Sequence, residues 1–208
     1  MLSRLLAAGL LLIASTLASA ADPSAADSKP ASQTITLGGG CFWCLEAVFD
    51  ELKGVTSVES GYAGGHVSMP NYEQVSMGGT GHAEVVQITF DPRVVSLDTI
   101  LRVYFTIHDP TTLNRQGADV GEQYRSVAFY RDAEQKAAIE NAIKATADGH
   151  EWNGAIVTQV VPFDKFYKAE NYHQEYFKLH GTEPYCQLVV GPKVAKFRKR
   201  FHDQLKTS

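Results

Sequence analysis

The sequence predicts an α/β or α+β domain built around one β-sheet. Two patterns alternate along the chain. In short segments typical of strands, apolar residues occupy every second position, and in segments typical of helices they recur every three or four positions. The composition agrees with this class, because 44% of the 208 residues are hydrophobic and 20% are charged, as in ordinary soluble domains. The chain therefore has enough apolar side chains for one packed core.

The predicted elements follow one another in a regular order. Strand patterns are found at residues 34–37, 55–62, 84–90, 127–130 and 156–161. Helical spacing is found at residues 41–52, 97–107, 132–148 and 194–205. Two long glycine-rich connections, residues 64–81 and 110–123, lie between these elements. Connections of that length are often functional, so we expect them near a binding or catalytic site.

Residues 1–33 are not part of the predicted domain. Residues 1–20 combine a positively charged start, an apolar run and an Ala-Ser-Ala cleavage site, which is the pattern of a secretory signal peptide. The apolar run is shorter than a membrane-spanning helix, which needs about 20 residues. Residues 21–33 are small, polar and proline-containing, as in a flexible tether. We expect an exported, bacterial periplasmic protein with one domain at residues 34–208 and no stable membrane insertion.

Charge and cysteine content exclude several function classes. The net charge is -4 and the isoelectric point is about 6.0, so nucleic acid is not an expected partner. Three cysteines are too few for a disulfide scaffold. A c-type haem site would need histidine where Leu45 stands, and a structural zinc site would need a second ligand pair. We expect no metal and, because no nucleotide or flavin motif is visible, no cofactor.

The most informative motif is GGGCFWC at residues 38–44. A cysteine in the first turn of a helix faces unpaired backbone amides, which stabilise a thiolate by roughly 0.3–2 kcal/mol. Cys41 is therefore the candidate nucleophile, and Cys44 lies one turn further on nearly the same face. Phe42 fits the apolar stripe of the helix, whereas Trp43 does not and is the better pocket wall. The spacing alone leaves open a thioredoxin-like oxidoreductase and another kind of cysteine enzyme.

Glu84 is the candidate proton donor. It lies in phase with Val86, Ile88 and Phe90, which mark the inward face of the strand at residues 84–90. A carboxyl buried without a basic partner has a raised pKa and keeps its proton near neutral pH. The same position also fits the solvated end of a strand, in which case Glu84 is an ordinary surface residue.

Six blocks of the sequence, in this order and spacing, resemble methionine sulfoxide reductase A, the peptide-methionine (S)-S-oxide reductase family. They are residues 40–43 (GCFW), 61–65 (GYAGG), 71–72 (NY), 81–84 (GHAE), 108–110 (HDP) and 116–126, which includes QGAD and QYRS. The resemblance covers residues 34–201. It implies a two-layer sandwich with a mixed central sheet, flanking helices and a ferredoxin-like core. It also implies an enzyme that reduces the S epimer of methionine sulfoxide, free or in proteins.

The resemblance gives chemical roles to residues of the site. Cys41 would attack the sulfoxide sulfur while Glu84 protonates the oxygen. The residues expected around them are the hydrogen-bond donors Tyr72 and Tyr124, the methyl-binding Phe42 and Trp43, and the ordering carboxylate Asp119. This set has a polar side for the sulfoxide oxygen and an apolar side for the methyl group.

The oxidised Cys41 must be returned to a thiol. Its sulfenic acid condenses with a second thiol to give a disulfide, and family members use either a CxxC cysteine or a carboxy-terminal cysteine, here Cys44 and Cys186. We favour Cys186 as the resolving cysteine, with Cys44 as an alternative or a relay. The resemblance further implies a thioredoxin-like reductant and the repair of oxidised exported proteins. The alternative function is that of a periplasmic CxxC thiol-disulfide oxidoreductase.

Overall fold

A six-stranded mixed sheet organises residues 31–207, the part of the chain that the computed structural model describes. The predicted signal peptide and residues 21–30 of the predicted tether lie outside the described residues. Ala31 and Ser32 are exposed, and the first strand begins at Gln33, one residue before the predicted start. No helix within residues 31–207 is both long and apolar enough to cross a membrane.

The sheet has the strand order β7-β6-β1-β3-β2-β8, and all neighbours are antiparallel except β6 and β7. In chain order the strands are β1 (Gln33–Gly38), β2 (Val55–Ala63), β3 (Ala83–Phe90), β4 (Arg115–Gln116), β5 (Asp119–Val120), β6 (Val127–Tyr130), β7 (Gln159–Pro162) and β8 (Phe166–Lys168). The short strands β4 and β5 pair with each other in a separate two-stranded sheet.

Six α-helices accompany the strands in the described residues. They are α1 (Phe42–Asp50), α2 (Tyr72–Met77), α3 (Leu97–Ile107), α4 (Ala133–Asp148), α5 (Tyr176–His180) and α6 (Gly191–Arg200). A π-helical turn at Cys186–Val190 leads directly into α6. The order β1-α1-β2-β3-α3-β6, with β6, β1, β3 and β2 adjacent in the sheet, is the ferredoxin-like core that the family resemblance implied.

The helices cover one face of the sheet and form the main core there. Val86, Ile88 and Phe90 of β3 point into this core, together with buried residues of α1, α3 and α6. On the opposite face a smaller apolar cluster contains Val85 of β3 and Phe129 of β6. Because side chains alternate along a strand, β3 serves both faces, and the two-layer prediction is confirmed.

The structure differs from the predicted elements mainly after residue 155. The strand predicted at residues 156–161 occupies Gln159–Pro162, and β8 and α5 have no counterpart in the prediction. The predicted helix at residues 194–205 ends at Arg200. It ends there because the following residues pair with the end of α1, where Lys53 donates its amide to the Gln204 carbonyl and Leu52 bridges to Leu205.

The first long connection also contains an unpredicted helix, α2. Asn71 caps this helix, since its side chain accepts the Gln74 amide while the Gln74 side chain accepts the Asn71 amide. This reciprocal pair is a capping box, and it was visible in the sequence. α2 places Tyr72 at its first position, next to the candidate site.

Candidate active site

Cys41 lies where the chain turns from β1 into α1. It is the N-cap residue of α1, which begins at Phe42, and it is 6% exposed. Gly40 makes this turn possible, because its φ is +91° and a Cβ there would lie 2.5 Å from the Gln116 side chain. The predicted position of Cys41 at a helix start is confirmed.

Glu84 is buried on the helix-covered face of the sheet, as its phase in β3 predicted. It is 2% exposed, and its Oε2 accepts the Phe42 backbone amide at 3.1 Å. Burial raises its pKa to about 8, although the hydrogen bond from Phe42 acts in the opposite direction. At neutral pH the carboxyl therefore holds a proton that it can donate. The surface alternative for Glu84 is wrong, because the start of β3 is covered rather than solvated.

Burial, rather than the helix terminus, sets the protonation of Cys41. Burial, a hydrogen bond with Cys44 and the nearby Glu84 carboxyl all raise the pKa of Cys41 well above that of an ordinary thiol. The expected thiolate at Cys41 is therefore wrong for the substrate-free site, since the backbone amides of a helix start lower the pKa by less than burial raises it.

Cys44 has the opposite shift. Its hydrogen bond with Cys41 lowers its pKa most, burial opposes this, and the Lys193 ammonium lowers it further. Cys44 is 0% exposed, and its backbone amide donates to the Cys41 carbonyl at 3.1 Å. Cys41 is the N-cap of α1, and Cys44 is the third residue of that helix.

A cavity of about 440 Å³ opens in front of Cys41 and Glu84. It is lined by Cys41, Phe42, Trp43, Tyr72, Glu84, Asp119, Tyr124, Tyr176, Glu183, Pro184 and Tyr185. All seven residues predicted around the reaction centre thus share one pocket: the nucleophile, the proton donor, two tyrosines, two apolar residues and the carboxylate. Cys44 and Cys186 do not line this cavity and are fully buried behind it.

The polar side of the pocket carries hydroxyl donors. Burial raises the pKa of both Tyr72 and Tyr124, so each phenol keeps its proton. Asp119 accepts a 2.6 Å hydrogen bond from the Tyr185 hydroxyl. Asp119 therefore holds the segment that carries Tyr185 over the pocket, which is a more specific task than the ordering role expected from the sequence.

The apolar side is an aromatic stack around Trp43. Tyr176 lies parallel to the indole with ring centroids 3.7 Å apart, and Tyr185 meets it edge-on at 5.8 Å. The indole Nε1 donates to Nδ1 of His173 at 3.2 Å, which places the proton of the neutral imidazole on Nε2. Phe42, 1% exposed, packs 5.9 Å from Tyr62 and completes the apolar surface.

Sequence reasoning missed the residues that hold these aromatic groups. Glu170 accepts the Tyr72 amide at 2.9 Å and the Tyr62 hydroxyl at 3.0 Å, so that it joins α2 to β2. His173 is buried between Phe42, Trp43 and Tyr72. The density of aromatic and histidine residues at 166–185 was the available signal, but it has no helical or strand period.

Cys186 begins the π-helical turn that precedes α6. It is 0% exposed, and burial and the neighbouring Cys44 raise its pKa. All three cysteines are free thiols in this structure. The π-helical turn that begins at Cys186 packs against α1, the helix that carries Cys44.

Two buried histidines of the matching blocks have structural hydrogen bonds. His108 bonds to the Tyr104 carbonyl and the Ser126 hydroxyl, and burial lowers its pKa to about 3. His82 bonds to the Gly65 amide and the Val67 carbonyl, so it holds the loop before α2. Within residues 31–207 no group of three or more His, Cys, Asp or Glu side chains has an arrangement suited to a metal ion.

Comparison with known proteins gives one consistent family. A family model described as peptide methionine sulfoxide reductase matches residues 33–205. The peptide methionine sulfoxide reductase MsrA of Sulfolobus acidocaldarius is 54% identical over 172 residues, covering 83% of this chain and 97% of the relative. That of Chromobacterium violaceum is 51% identical over 165 residues, covering 79% of this chain and 94% of the relative.

Solved structures show the same fold. Reduced Mxr1 from Saccharomyces cerevisiae has a TM-score of 0.69 and 32% identity, covering 79% of this chain and 91% of that protein. Methionine sulfoxide reductase A of Corynebacterium diphtheriae has a TM-score of 0.67 and 32% identity, covering 74% of this chain and 78% of that protein.

Proposed function

Because the chain belongs to the peptide methionine sulfoxide reductase family, an oxidoreductase family that reduces methionine sulfoxide, we propose that it acts on the S epimer, free or in proteins, with Cys41 as nucleophile and Glu84 as proton donor. The observation that carries this proposal is the shared pocket. A buried thiol, a protonated carboxyl with a pKa of about 8 and an aromatic wall face the same 440 Å³ cavity.

The first step transfers the sulfoxide oxygen to Cys41. The Cys41 sulfur attacks the sulfoxide sulfur and gives up its proton within the site, while Glu84 protonates the oxygen. The sulfur–sulfur bond made in this attack and the sulfur–oxygen bond of the substrate then break as the hydroxyl group passes to the Cys41 sulfur, and methionine leaves. The substrate sulfur gains two electrons and the Cys41 sulfur loses two, so that Cys41 becomes a sulfenic acid.

The walls of the pocket suit the shape of the substrate. Tyr72 and Tyr124 are hydroxyl donors next to the reaction centre and stabilise negative charge that develops on the sulfoxide oxygen. Phe42 and the Trp43 stack present apolar surface to the methyl group. The two epimers of the sulfoxide differ in the arrangement of oxygen and methyl group, so a pocket with one polar and one aromatic side can discriminate between them.

The burial of both CxxC cysteines argues against the alternative, a thiol-disulfide oxidoreductase. Such an enzyme must present its attacking sulfur to a protein disulfide, but Cys41 is 6% exposed and Cys44 is 0% exposed. A small sulfoxide side chain enters a cavity of this size more easily than a folded protein disulfide does.

The positions of the three cysteines suggest how Cys41 is restored. The Cys44 backbone amide donates to the Cys41 carbonyl at 3.1 Å, and the π-helical turn that begins at Cys186 packs against α1. We infer a relay in which Cys44 first forms a disulfide with Cys41 and Cys186 then attacks Cys44, which frees Cys41. The expectation from the sequence that Cys186 is the resolving cysteine stays a prediction. In this relay Cys44 acts in the first step and Cys186 in the second.

The remaining partner is a dithiol reductant. The disulfide has to receive two electrons from outside the chain, and we propose a thioredoxin-like protein as their source. The signal-peptide pattern of residues 1–20 supports an exported, periplasmic location and a role in the repair of oxidised exported proteins.

Turnover of dabsylated methionine sulfoxide with dithiothreitol tests the reaction. We expect reduction of the S epimer by residues 21–208, no reduction of the R epimer, and no turnover by Cys41→Ser. Equal rates for the two epimers, or full activity of the serine variant, would refute the proposal.

Methionine counted per chain without reductant tests the relay. Wild type should form two methionines, because the relay frees Cys41 for a second oxidation, whereas Cys186→Ser should form one. One methionine from the wild type would exclude the second step.

A further inference from the structure

Both methionines of the predicted mature chain lie on the surface. The sequence has three methionines, and one of them is Met1 of the predicted signal peptide. Met69 is 81% exposed and Met77 is 74% exposed, so the core of the described residues contains no methionine. Methionine commonly fills gaps in protein cores. Its exclusion from this core leaves both thioethers of residues 31–207 within reach of dissolved oxidants.

Met77 stands in open surroundings at the end of α2. It is the last residue of this helix, and Gly78 and Gly79 follow it with φ values of +80° each. At both glycines the position of a Cβ has no heavy atom within 4 Å outside the adjacent residues. The chain after Met77 therefore leaves free space for another protein surface to approach the thioether.

Met69 protrudes from the bend before α2. Its φ is +51°, an uncommon backbone conformation for a residue with a side chain. Pro70, which follows it, is buried. The chain is thus anchored next to Met69 while the methionine side chain itself extends into solvent.

We propose that Met69 and Met77 are oxidation sites of this enzyme and that their sulfoxides are substrates for the pocket of a second copy. The inference rests on the proposed function, since that reaction removes the oxygen. Cys41 is 6% exposed at the pocket, so a sulfoxide reaches it only on a side chain that stands clear of its own protein. The exposure of both methionines meets this requirement.

A second copy is needed because α2 is a wall of its own pocket. Tyr72, at the first position of α2, lines the cavity. Met77 is five residues further on, about 7.5 Å along the helix axis and about 140° around it. On the other side of Tyr72, the buried Pro70 and the N-cap Asn71 fix the chain that leads to Met69. Neither methionine enters its own pocket while α2 is in place.

The two steps balance with a peroxide as the oxidant. Hydrogen peroxide transfers one oxygen to the thioether, whose sulfur loses two electrons, while the oxygen–oxygen bond breaks and water leaves. Cys41 of the second copy then takes the oxygen as in the proposed function, and the dithiol reductant returns two electrons. The net result is the reduction of hydrogen peroxide to water, with the methionine restored.

Repair of one copy by another tests the proposal. The Cys41→Ser protein is treated with hydrogen peroxide, freed of peroxide, and used as the substrate with dithiothreitol and a catalytic amount of wild type. Cleavage after glutamate separates the two sites, because Met69 falls in residues 60–73 and Met77 in residues 74–84. Mass spectrometry of the two peptides measures the added oxygen. The controls are Cys41→Ser in place of the wild-type catalyst, and the substrate variant Cys41→Ser/Met77→Leu.

Both peptides should gain one oxygen with peroxide. Wild type should then remove roughly half of it, because peroxide forms both epimers in about equal amounts and the enzyme reduces the S epimer. Cys41→Ser as the catalyst should remove none, and the 74–84 peptide of the Met77→Leu variant should gain none.

A peptide that gains no oxygen would overturn the proposal. Full retention of the oxygen at either methionine, while wild type reduces free methionine S-sulfoxide in the same mixture, would also overturn it. Retention of the oxygen in both the protein and the free sulfoxide would instead refute the proposed function.

Discussion

The two walls of the pocket are built in different ways. The core wall, formed by Cys41, Phe42 and Glu84, belongs to α1 and β3 of the ferredoxin-like core. The C-terminal wall, formed by Tyr176 and Tyr185, belongs to a five-residue helix and the residue before a π-helical turn. The reacting groups of the core wall belong to longer elements, whose backbone geometry fixes the distances between them. The C-terminal wall is instead held in place by individual side-chain contacts.

This difference predicts that substitutions in the core wall affect the chemical step and those in the C-terminal wall affect substrate binding. The contacts of the C-terminal wall are the Trp43 stack and the Tyr185–Asp119 hydrogen bond. The core wall depends instead on backbone geometry, such as the Phe42 amide that binds Glu84.

The largest effect is expected from Cys41→Ser. Turnover should fall below detection, because Cys44 and Cys186 lie outside the cavity and have no access to the sulfoxide. Methionine formation measured by chromatography checks this expectation. Cys186→Ser is the matched control, and it should still form its first methionine at the wild-type rate. Residual turnover by Cys41→Ser would mean that another thiol reaches the substrate.

A smaller effect is expected from Tyr185→Phe. Loss of the hydroxyl leaves Asp119 without its 2.6 Å partner and loosens the C-terminal wall, so KM should rise about 5- to 20-fold while kcat changes less than about 3-fold. Steady-state kinetics with the S epimer measure both constants. Tyr172→Phe, an exposed tyrosine of the same segment, should behave as wild type. A fall in kcat alone would break the distinction between the walls.

The smallest effect on activity is expected from Glu46→Gln, which changes a second buried acid. Glu46 of α1 is 1% exposed, and its Oε1 has no hydrogen-bond partner among the described residues. The amides of Glu175 and Tyr176 and the Ser60 side chain lie near the carboxyl. Burial raises its pKa from 4.5 to about 7. Ionisation is therefore less favourable in the folded state than in the unfolded state.

The resulting loss of stability is absent below about pH 4.5, grows as the pH rises to 7, and is complete above it. Glu46→Gln does not ionise and should be more stable than wild type by about 2 kcal/mol at pH 8 and equally stable at pH 4.5. Urea unfolding at the two pH values checks this, with kcat expected unchanged. A gain of the same size at both pH values would contradict the role of ionisation.

The core wall could be predicted from the sequence because its residues follow regular patterns. The glycine turn before α1 placed Cys41, and the alternation of β3 placed Glu84 on the inward face. The C-terminal wall could not be predicted in this way, because a five-residue helix and the short turn after it show no period. Tyr176 and Tyr185 line the pocket beside Trp43 and Asp119, which come from distant parts of the chain.

The protonation of Cys41 was mispredicted for a related reason. A local pattern shows the helix start, which favours a thiolate, but it does not show Tyr185 and Glu84, which arrive from distant parts of the chain. Burial depends on all of these neighbours at once, and its effect on the pKa exceeds that of the helix terminus.

The central claim is that Cys41 and Glu84 together carry out the first reduction, and a rapid-quench measurement of the first methionine tests it most directly. Wild type and Glu84→Gln are mixed with the S epimer at pH 7 without reductant. We predict that the glutamine variant forms methionine about 100- to 10,000-fold more slowly with unchanged substrate binding. Methionine formation at the wild-type rate in Glu84→Gln would show that the carboxyl is not the proton donor.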